Sequence, residues 1–283
     1  MVTLVIDVGT TNLKCLLFDE RGNEIAKAVR PNVTRYPKPF FVEQDPLQWV
    51  ENLIEALKEI KELFPAEFRS IQAVSLTGQM HGPVLLDPKE NKILCPCIIW
   101  SDTRANEEIK LLEQIFSRSF FLEKMRNPLQ QSFTLPKLLW LKNHVPEVFR
   151  KETKVLFPKD YIAYILSGTV TTDPSDASGS LVFDLQGGKW AREVLKELGF
   201  DSDILPDVVP SDSIVGHVSE EAARKFLIPA GVPIVKGGGD LATTALATGA
   251  GIRGNLSICV GTAGQVLVCT DKVDEEVVGK LYI

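Results

Sequence analysis

Val2-Thr3-Leu4-Val5-Ile6-Asp7-Val8-Gly9-Thr10-Thr11-Asn12-Leu13-Lys14-Cys15-Leu16-Leu17-Phe18-Asp19 is the stretch whose reading decides the fold. An apolar run ends on an aspartate, a glycine and two threonines turn the chain, and a second apolar run leads to another aspartate. That pattern reads as a strand over Val2 to Ile6, a tight turn, and a strand over Leu13 to Phe18. Working outward, Glu20-Arg21-Gly22-Asn23 is a second turn and Glu24 to Val29 a third strand. A loop with Pro31, Pro37 and Pro39 follows. Asp45-Pro46 then reads as a helix cap with proline at the first helical position. Val50, Leu53, Ile54, Leu57, Ile60 and Phe64 recur at helical spacing and predict an amphipathic helix over about 46–64.

Ile71 to Leu76 is a short buried strand that runs into Thr77-Gly78-Gln79-Met80-His81-Gly82. Val84 to Leu86 and Lys92 to Leu94 flank a turn, and Ile98-Ile99-Trp100 predicts another strand ending in Ser101-Asp102-Thr103-Arg104. Helical stretches dominate roughly 105–200. Asp160 to Leu166 is stopped by Gly168, and Trp190 to Leu198 by Gly199. Pro233 to Lys236 is a strand leading into Gly237-Gly238-Gly239-Asp240. The small residues from Leu241 to Gly251 predict a tightly packed helix, and Leu256 to Val260 with Gln265 to Thr270 a hairpin. Strands alternating with helices give the α/β class.

The opening pattern has an echo. Gly9-Thr10-Thr11 is followed by an apolar strand and Asp19; Gly261-Thr262-Ala263 is followed by an apolar strand and Asp271. Each turn offers backbone N–H groups and a threonine hydroxyl to phosphate oxygens, so the pair reads as a duplicated phosphate-gripping hairpin.

Composition narrows the function. The 283 residues are 45% hydrophobic and 24% charged, which is globular and not disordered. Lys plus Arg is 31 against 37 Asp plus Glu, a net charge of −6 with no basic tract. That argues against nucleic acid or an anionic membrane as the main partner, but not against phosphate ligands. No apolar run is long enough to span a bilayer. The five cysteines (15, 95, 97, 259 and 269) and the scattered His81, His144 and His217 assemble no zinc set. They read as reduced, mostly buried thiols of a cytoplasmic protein.

The segments Ile6-Asp7-Val8-Gly9-Thr10-Thr11, Glu43-Gln44-Asp45-Pro46, Gly78-Gln79-Met80-His81-Gly82 and Trp100-Ser101-Asp102-Thr103-Arg104 share one resemblance. Further matches are Phe133-Thr134-Leu135-Pro136-Lys137-Leu138-Leu139-Trp140, Pro158-Lys159-Asp160-Tyr161, Asp173-Pro174-Ser175-Asp176-Ala177-Ser178-Gly179, Gly237-Gly238-Gly239-Asp240 and Gly261-Thr262. In this order the chain resembles the FGGY family of carbohydrate kinases, of the actin-like ATPase superfamily, and within it the xylulose kinases. The resemblance covers the whole chain but only the front part of the family. It implies an actin-like (ribonuclease H-like) domain with a mixed five-stranded sheet and flanking helices over 1–248. Residues 249–283 would begin a second such domain.

The implied chemistry is ATP- and Mg²⁺-dependent phosphorylation of a ketopentose, D-xylulose to D-xylulose 5-phosphate. By resemblance Asp240 is the catalytic base. Asp7 holds Mg²⁺ through water, and Gly9, Thr10, Thr11, Gly261 and Thr262 contact the phosphates. Gln79, Met80, His81, Asp240 and Leu241 are expected at the sugar. Trp100, Asp102 and Arg104 either shape the cleft or form an internal ion pair. Leu241 departs from the pattern, because xylulose kinases carry an amide there. This leaves open another pentulose or polyol. A catalytically silent sugar-binding fragment is the competing reading, and on either reading the chain alone is expected to bind nucleotide poorly and to be inactive or weak. An acetate-kinase-like or chaperone-like ATPase is a more remote one. The oligomeric state, a homodimer included, is not legible.

Overall fold

The computed structural model describes residues 1–260 and 264–283. Its main sheet has six strands in the order Ile214–His217, Pro233–Gly239, Ile71–Gly78, Val2–Val8, Asn12–Phe18 and Glu24–Pro31. The last two run antiparallel as meanders, while Pro233–Gly239, Ile71–Gly78 and Val2–Val8 lie parallel at the centre. Five of these are the mixed sheet anticipated from the sequence. The sixth, Ile214–His217, is a short antiparallel edge strand.

The alternation of buried and half-buried residues in Val2–Val8 and Asn12–Phe18 is the period of two that a sheet imposes. Leu4, Ile6, Val8, Leu13, Cys15 and Leu17 face one core. The helix Pro46–Leu63 closes that core with Trp49, Leu53, Ala56, Leu57 and Ile60. It starts where the sequence places it, because the Asp45 side chain accepts from Leu47 N over 3.0 Å and Pro46 follows. Pro158–Ser167 packs into the same core, and Gly168 at φ +79° ends it. A second core gathers Leu112, Phe121, Leu135, Leu138, Phe157 and Leu195 from the helical middle of the chain.

Two expectations need correction. Ile98-Ile99-Trp100 is not a full strand. Only Cys97–Ile98 pairs, with Glu43–Gln44, and the chain then turns to bring Trp100 into a cleft. The helix predicted over Leu241 to Gly251 spans Asp240–Ala247, ends before Gly249 at φ +72°, and buries none of its residues. Its small side chains Ala242 and Ala245 line a cavity of about 510 Å³ facing Leu267 and Val277, instead of meeting another element. The hairpin forms as expected, Leu256–Val260 pairing with Gly264–Val268. Gly261 and Thr262, expected at phosphate, lie outside the described residues.

The thiols are free. Burial pushes Cys95 up to about 12 and raises Cys15 and Cys97 further, so they are inert. Only Cys15 and Cys97 are buried, while Cys95 and Cys269 are half-buried and Cys259 is exposed, so the set is less buried than expected. No helix among the described residues is long and apolar enough to cross a membrane.

Candidate active site

The three parallel strands end level with one another. Val8 pairs with Gly78, and Gly78 with Gly239. Their carboxyl ends are where open α/β sheets place ligands, because the loops there can diverge and leave a crevice. The next residues are Gly9-Thr10-Thr11, Gln79-Met80-His81 and Asp240-Leu241. Segments far apart in sequence are thus brought together by strand register alone.

Two compartments open here. A groove of about 460 Å³ is lined by Asp7, Gly9, Thr11, Lys14 and Thr244. A smaller compartment of about 180 Å³ is lined by Met80, His81, Leu241, Gln265 and Tyr282. Thr10, Trp100 and Asp240 line both. Asp240 therefore stands where the two meet.

Asp240 is the first residue of its helix, not the cap, which is Gly239. Its Oδ1 accepts from Leu241 N over 2.8 Å. Burial pushes the carboxyl up to about 6, with the Asp7 charge adding to the rise and the Leu241 N–H and Lys14 opposing it. A carboxylate so placed is ionised at neutral pH yet more basic than a solvated one, which suits proton abstraction.

Asp7 forms an ion pair with Lys14 at 2.8 Å. The two stand directly opposite in the hairpin register, being symmetric about the Thr10-Thr11 turn. Lys14 was missed by sequence reasoning, although that symmetry was available to find it. Its ammonium gives the groove a cation for anionic ligands. Among the described residues no cluster of three or more His, Cys, Asp or Glu could hold a metal ion. The single Asp7 carboxylate, with one oxygen on Lys14, suits an ion held mainly by its own water and by phosphate, as Mg²⁺ is.

The turn is braced from behind. Asn32 Nδ2 donates to Gly9 O and Gln44 Nε2 to Thr10 O, each over 2.7 Å. Asn32 N donates to Thr11 O over 2.8 Å. The Thr10 hydroxyl accepts from Trp100 Nε1 at 2.8 Å and donates to Gln79 Oε1 at 3.3 Å. It is therefore a strut, and its proton is not free for a ligand, whereas Thr11 is exposed. Gln79 is fully buried and its amide also donates to Gln44 Oε1 over 2.9 Å. It lines neither compartment and acts behind the wall, supporting Thr10.

His81 and Met80 do line the smaller compartment. His81 Nδ1 lies 2.9 Å from Gly179 O. A carbonyl can only accept, so Nδ1 carries the hydrogen and Nε2 is left as an acceptor. Burial, with the Lys137 charge adding, pushes His81 down to about 4, and the ring is neutral at ordinary pH. Thr134 Oγ1 and Lys137 Nζ both donate to His81 O, fixing its backbone at φ +69°. Gly179 must stay a glycine, since a Cβ there would lie 2.5 Å from the ring.

The alternatives for Trp100, Asp102 and Arg104 divide. Trp100 shapes the cleft, while Arg104 pairs internally with Asp102 and Glu43, each at 2.7 Å, and stacks on Phe41. Tyr282 was not anticipated. It reaches the compartment from the far end of the chain and lies edge-on to His81 at 5.6 Å, a placement no local motif signals.

The N-terminal domain of the FGGY family of carbohydrate kinases matches residues 2–247. The chain belongs to the FGGY family. Similar relatives include the xylulose kinases of Staphylococcus xylosus, 33% identical over 98% of this chain, and of Bacillus subtilis, 32% identical over 98%. The chain spans 57% and 55% of those proteins, little more than half their length. The crystal structure of xylulose kinase from Rhodospirillum rubrum superposes with a TM-score of 0.90 at 29% identity, covering 95% of this chain and 55% of that one. In this FGGY chain the position expected to carry an amide is Leu241, and it lines the smaller compartment.

Proposed function

We propose that the chain is the sugar-side part of an ATP-dependent kinase that phosphorylates a ketopentose, D-xylulose to D-xylulose 5-phosphate. Residues 1–248 are the sugar-binding domain and 249–283 open the nucleotide-binding one. The observation that carries this reading is Asp240, shared by the two compartments, with its carboxyl raised to about 6. The family match and the xylulose kinase relatives support the substrate class.

The sugar sits against Met80, His81 and Leu241, with His81 Nε2 accepting from a hydroxyl. Asp240 takes the proton of the hydroxyl that attacks. That oxygen bonds to the γ-phosphorus as the bond from phosphorus to the departing ADP oxygen breaks. Lys14 and the Gly9-Thr10-Thr11 backbone face the phosphates. Asp7 would hold Mg²⁺ through water, the ion supplying charge neutralisation on the phosphate oxygens. Positioning and charge supply most of the catalysis in such transfers.

The test is ATP-dependent phosphorylation of a panel of ketopentoses and polyols, by this chain and by a form extended with any in-frame downstream sequence, with sugar binding followed in parallel by calorimetry. Turnover of D-xylulose in preference to the others supports the proposal. Sugar binding without turnover assigns the catalytically silent reading, and neither signal rejects both.

Leu241 offers the sugar no hydrogen bond. Replacing it with Asn is expected to lower KM for D-xylulose about fivefold, corresponding to a hydrogen bond worth ~1 kcal/mol. Polyols lacking the matching hydroxyl should gain less. An unchanged KM across the panel would remove Leu241 from sugar contact.

A further inference from the structure

The loop that carries Asp240 rests on a polar network, anchored on the buried Asp173, that the proposed chemistry does not use. Gly239 N donates to Ser175 Oγ over 2.8 Å. Ser175 Oγ donates in turn to Asp173 Oδ2 over 2.6 Å, and Ser211 Oγ reaches the same oxygen over 2.8 Å. Asp173 is fully buried, and its Oδ1 lies 2.8 Å from Lys159 Nζ. The loop's entrance is held as well, because Gly237 N donates to Ser211 O over 2.8 Å.

Gly237-Gly238-Gly239 has no side chains to direct the chain. Gly237 sits at φ +69°, where a Cβ would lie 1.7 Å from Leu76 O. Glycines permit such a path without specifying it. The direction of the next residue must therefore come from groups that grip the backbone. Gly239 is the cap and Asp240 the first helical residue, so the bond at Gly239 N acts one residue from the carboxylate.

We propose that Ser175 is a positioning residue, its hydroxyl oriented by Asp173 and holding the Gly239 amide so that the Asp240 carboxylate points into the shared wall of the two compartments. This rests on the reading of Asp240 as the base. The charged groups facing Asp240 are Asp7 and Lys14 of the hairpin, with His81 and Tyr282 neutral across the compartment. A purely structural serine in the Asp173 turn would affect stability and leave the carboxylate as it is.

The experiment is a ¹³C NMR titration of the Asp240 carboxyl, assigned by its loss in Asp240→Asn, together with kcat and KM. Ser175→Ala is expected to move the titration midpoint from about 6 toward the ordinary carboxylate range. Where turnover is measurable, kcat should fall roughly tenfold or more with KM for the sugar within about twofold, as for a small misplacement of a reacting group. Ser175→Thr keeps a hydroxyl and should restore the wild-type midpoint. A midpoint unmoved in Ser175→Ala, or moved equally in Ser175→Thr, overturns the inference. The titration needs no turnover, so it decides even if the chain is catalytically silent. Full activity in Asp240→Asn would instead remove the base on which the inference rests.

Discussion

Asp240→Asn is expected to lower kcat for D-xylulose by about 10²–10⁴-fold, the span a positioned general base supplies. The amide keeps the size of the carboxyl and its bond from Leu241 N, so sugar KM should move little. The wild-type kcat/KM should rise with pH through about 6, where Asp240 loses its proton and becomes able to accept one. His81 does not set that limb, because burial holds it down at about 4. The stability prediction has the opposite sign. Asp240 has a folded pKa raised above the ordinary aspartate value of 3.8, so the native state binds the extra proton between 3.8 and about 6. Stability contributed by this group is therefore lost as pH rises through that window. The Asn variant should melt above wild type at pH 8 and level with it near pH 4. Wild-type turnover in Asp240→Asn at pH 7 would end the reading of Asp240 as base.

The contrast between residues found and missed follows from how far each signal travels along the chain. Asp45-Pro46 capped its helix, and the apolar runs of Val2–Val8 and Asn12–Phe18 paired, because turns and caps are decided within a few residues. Asp7 and Asp240 were placed at the site by the resemblance, and strand register brings both to the lining of one groove. Gln79 was placed at the sugar with Met80 and His81 by the resemblance. A strand exit sends alternate residues to opposite sides, and Gln79 turns back toward Thr10 and Gln44. The helix after Asp240 was expected to be tightly packed because small residues usually permit that. Here Ala242 and Ala245 border a cavity, a fact of tertiary surroundings that composition does not encode. Tyr282 beside His81 is a contact across two hundred residues of chain, beyond any local pattern.

Lys159→Met should be the most destabilising single change considered, about 3–5 kcal/mol at pH 7, because it strips the cation from a buried charge cluster. Lys159 Nζ lies 2.7 Å from Asp160, 2.8 Å from Asp173 and 2.9 Å from Asp176, all four side chains fully buried. Lys236, also buried, adds a second cation 2.6 Å from Asp160. Burial pushes Asp176 well up, with Asp160 and Asp173 adding to the rise against Lys159. Asp173 stays below its usual range despite its burial, held there by Lys159 and Ser175. Met matches the length of the lysine but supplies no charge, so the native carboxylates would bind protons more tightly than they do in the unfolded chain. Native protonation above the unfolded pKa makes stability fall as pH rises. The variant's deficit, measured by urea unfolding, should therefore be largest near pH 8 and shrink toward pH 4. Adding Asp176→Asn to Lys159→Met should recover part of the loss, since one fewer carboxylate is left uncompensated. A deficit below about 1 kcal/mol, flat with pH, would mean that water or rearrangement replaces the lysine without difficulty. The cluster would then be too soft to hold Asp173, and through Ser175 the loop beneath Asp240, in a fixed place.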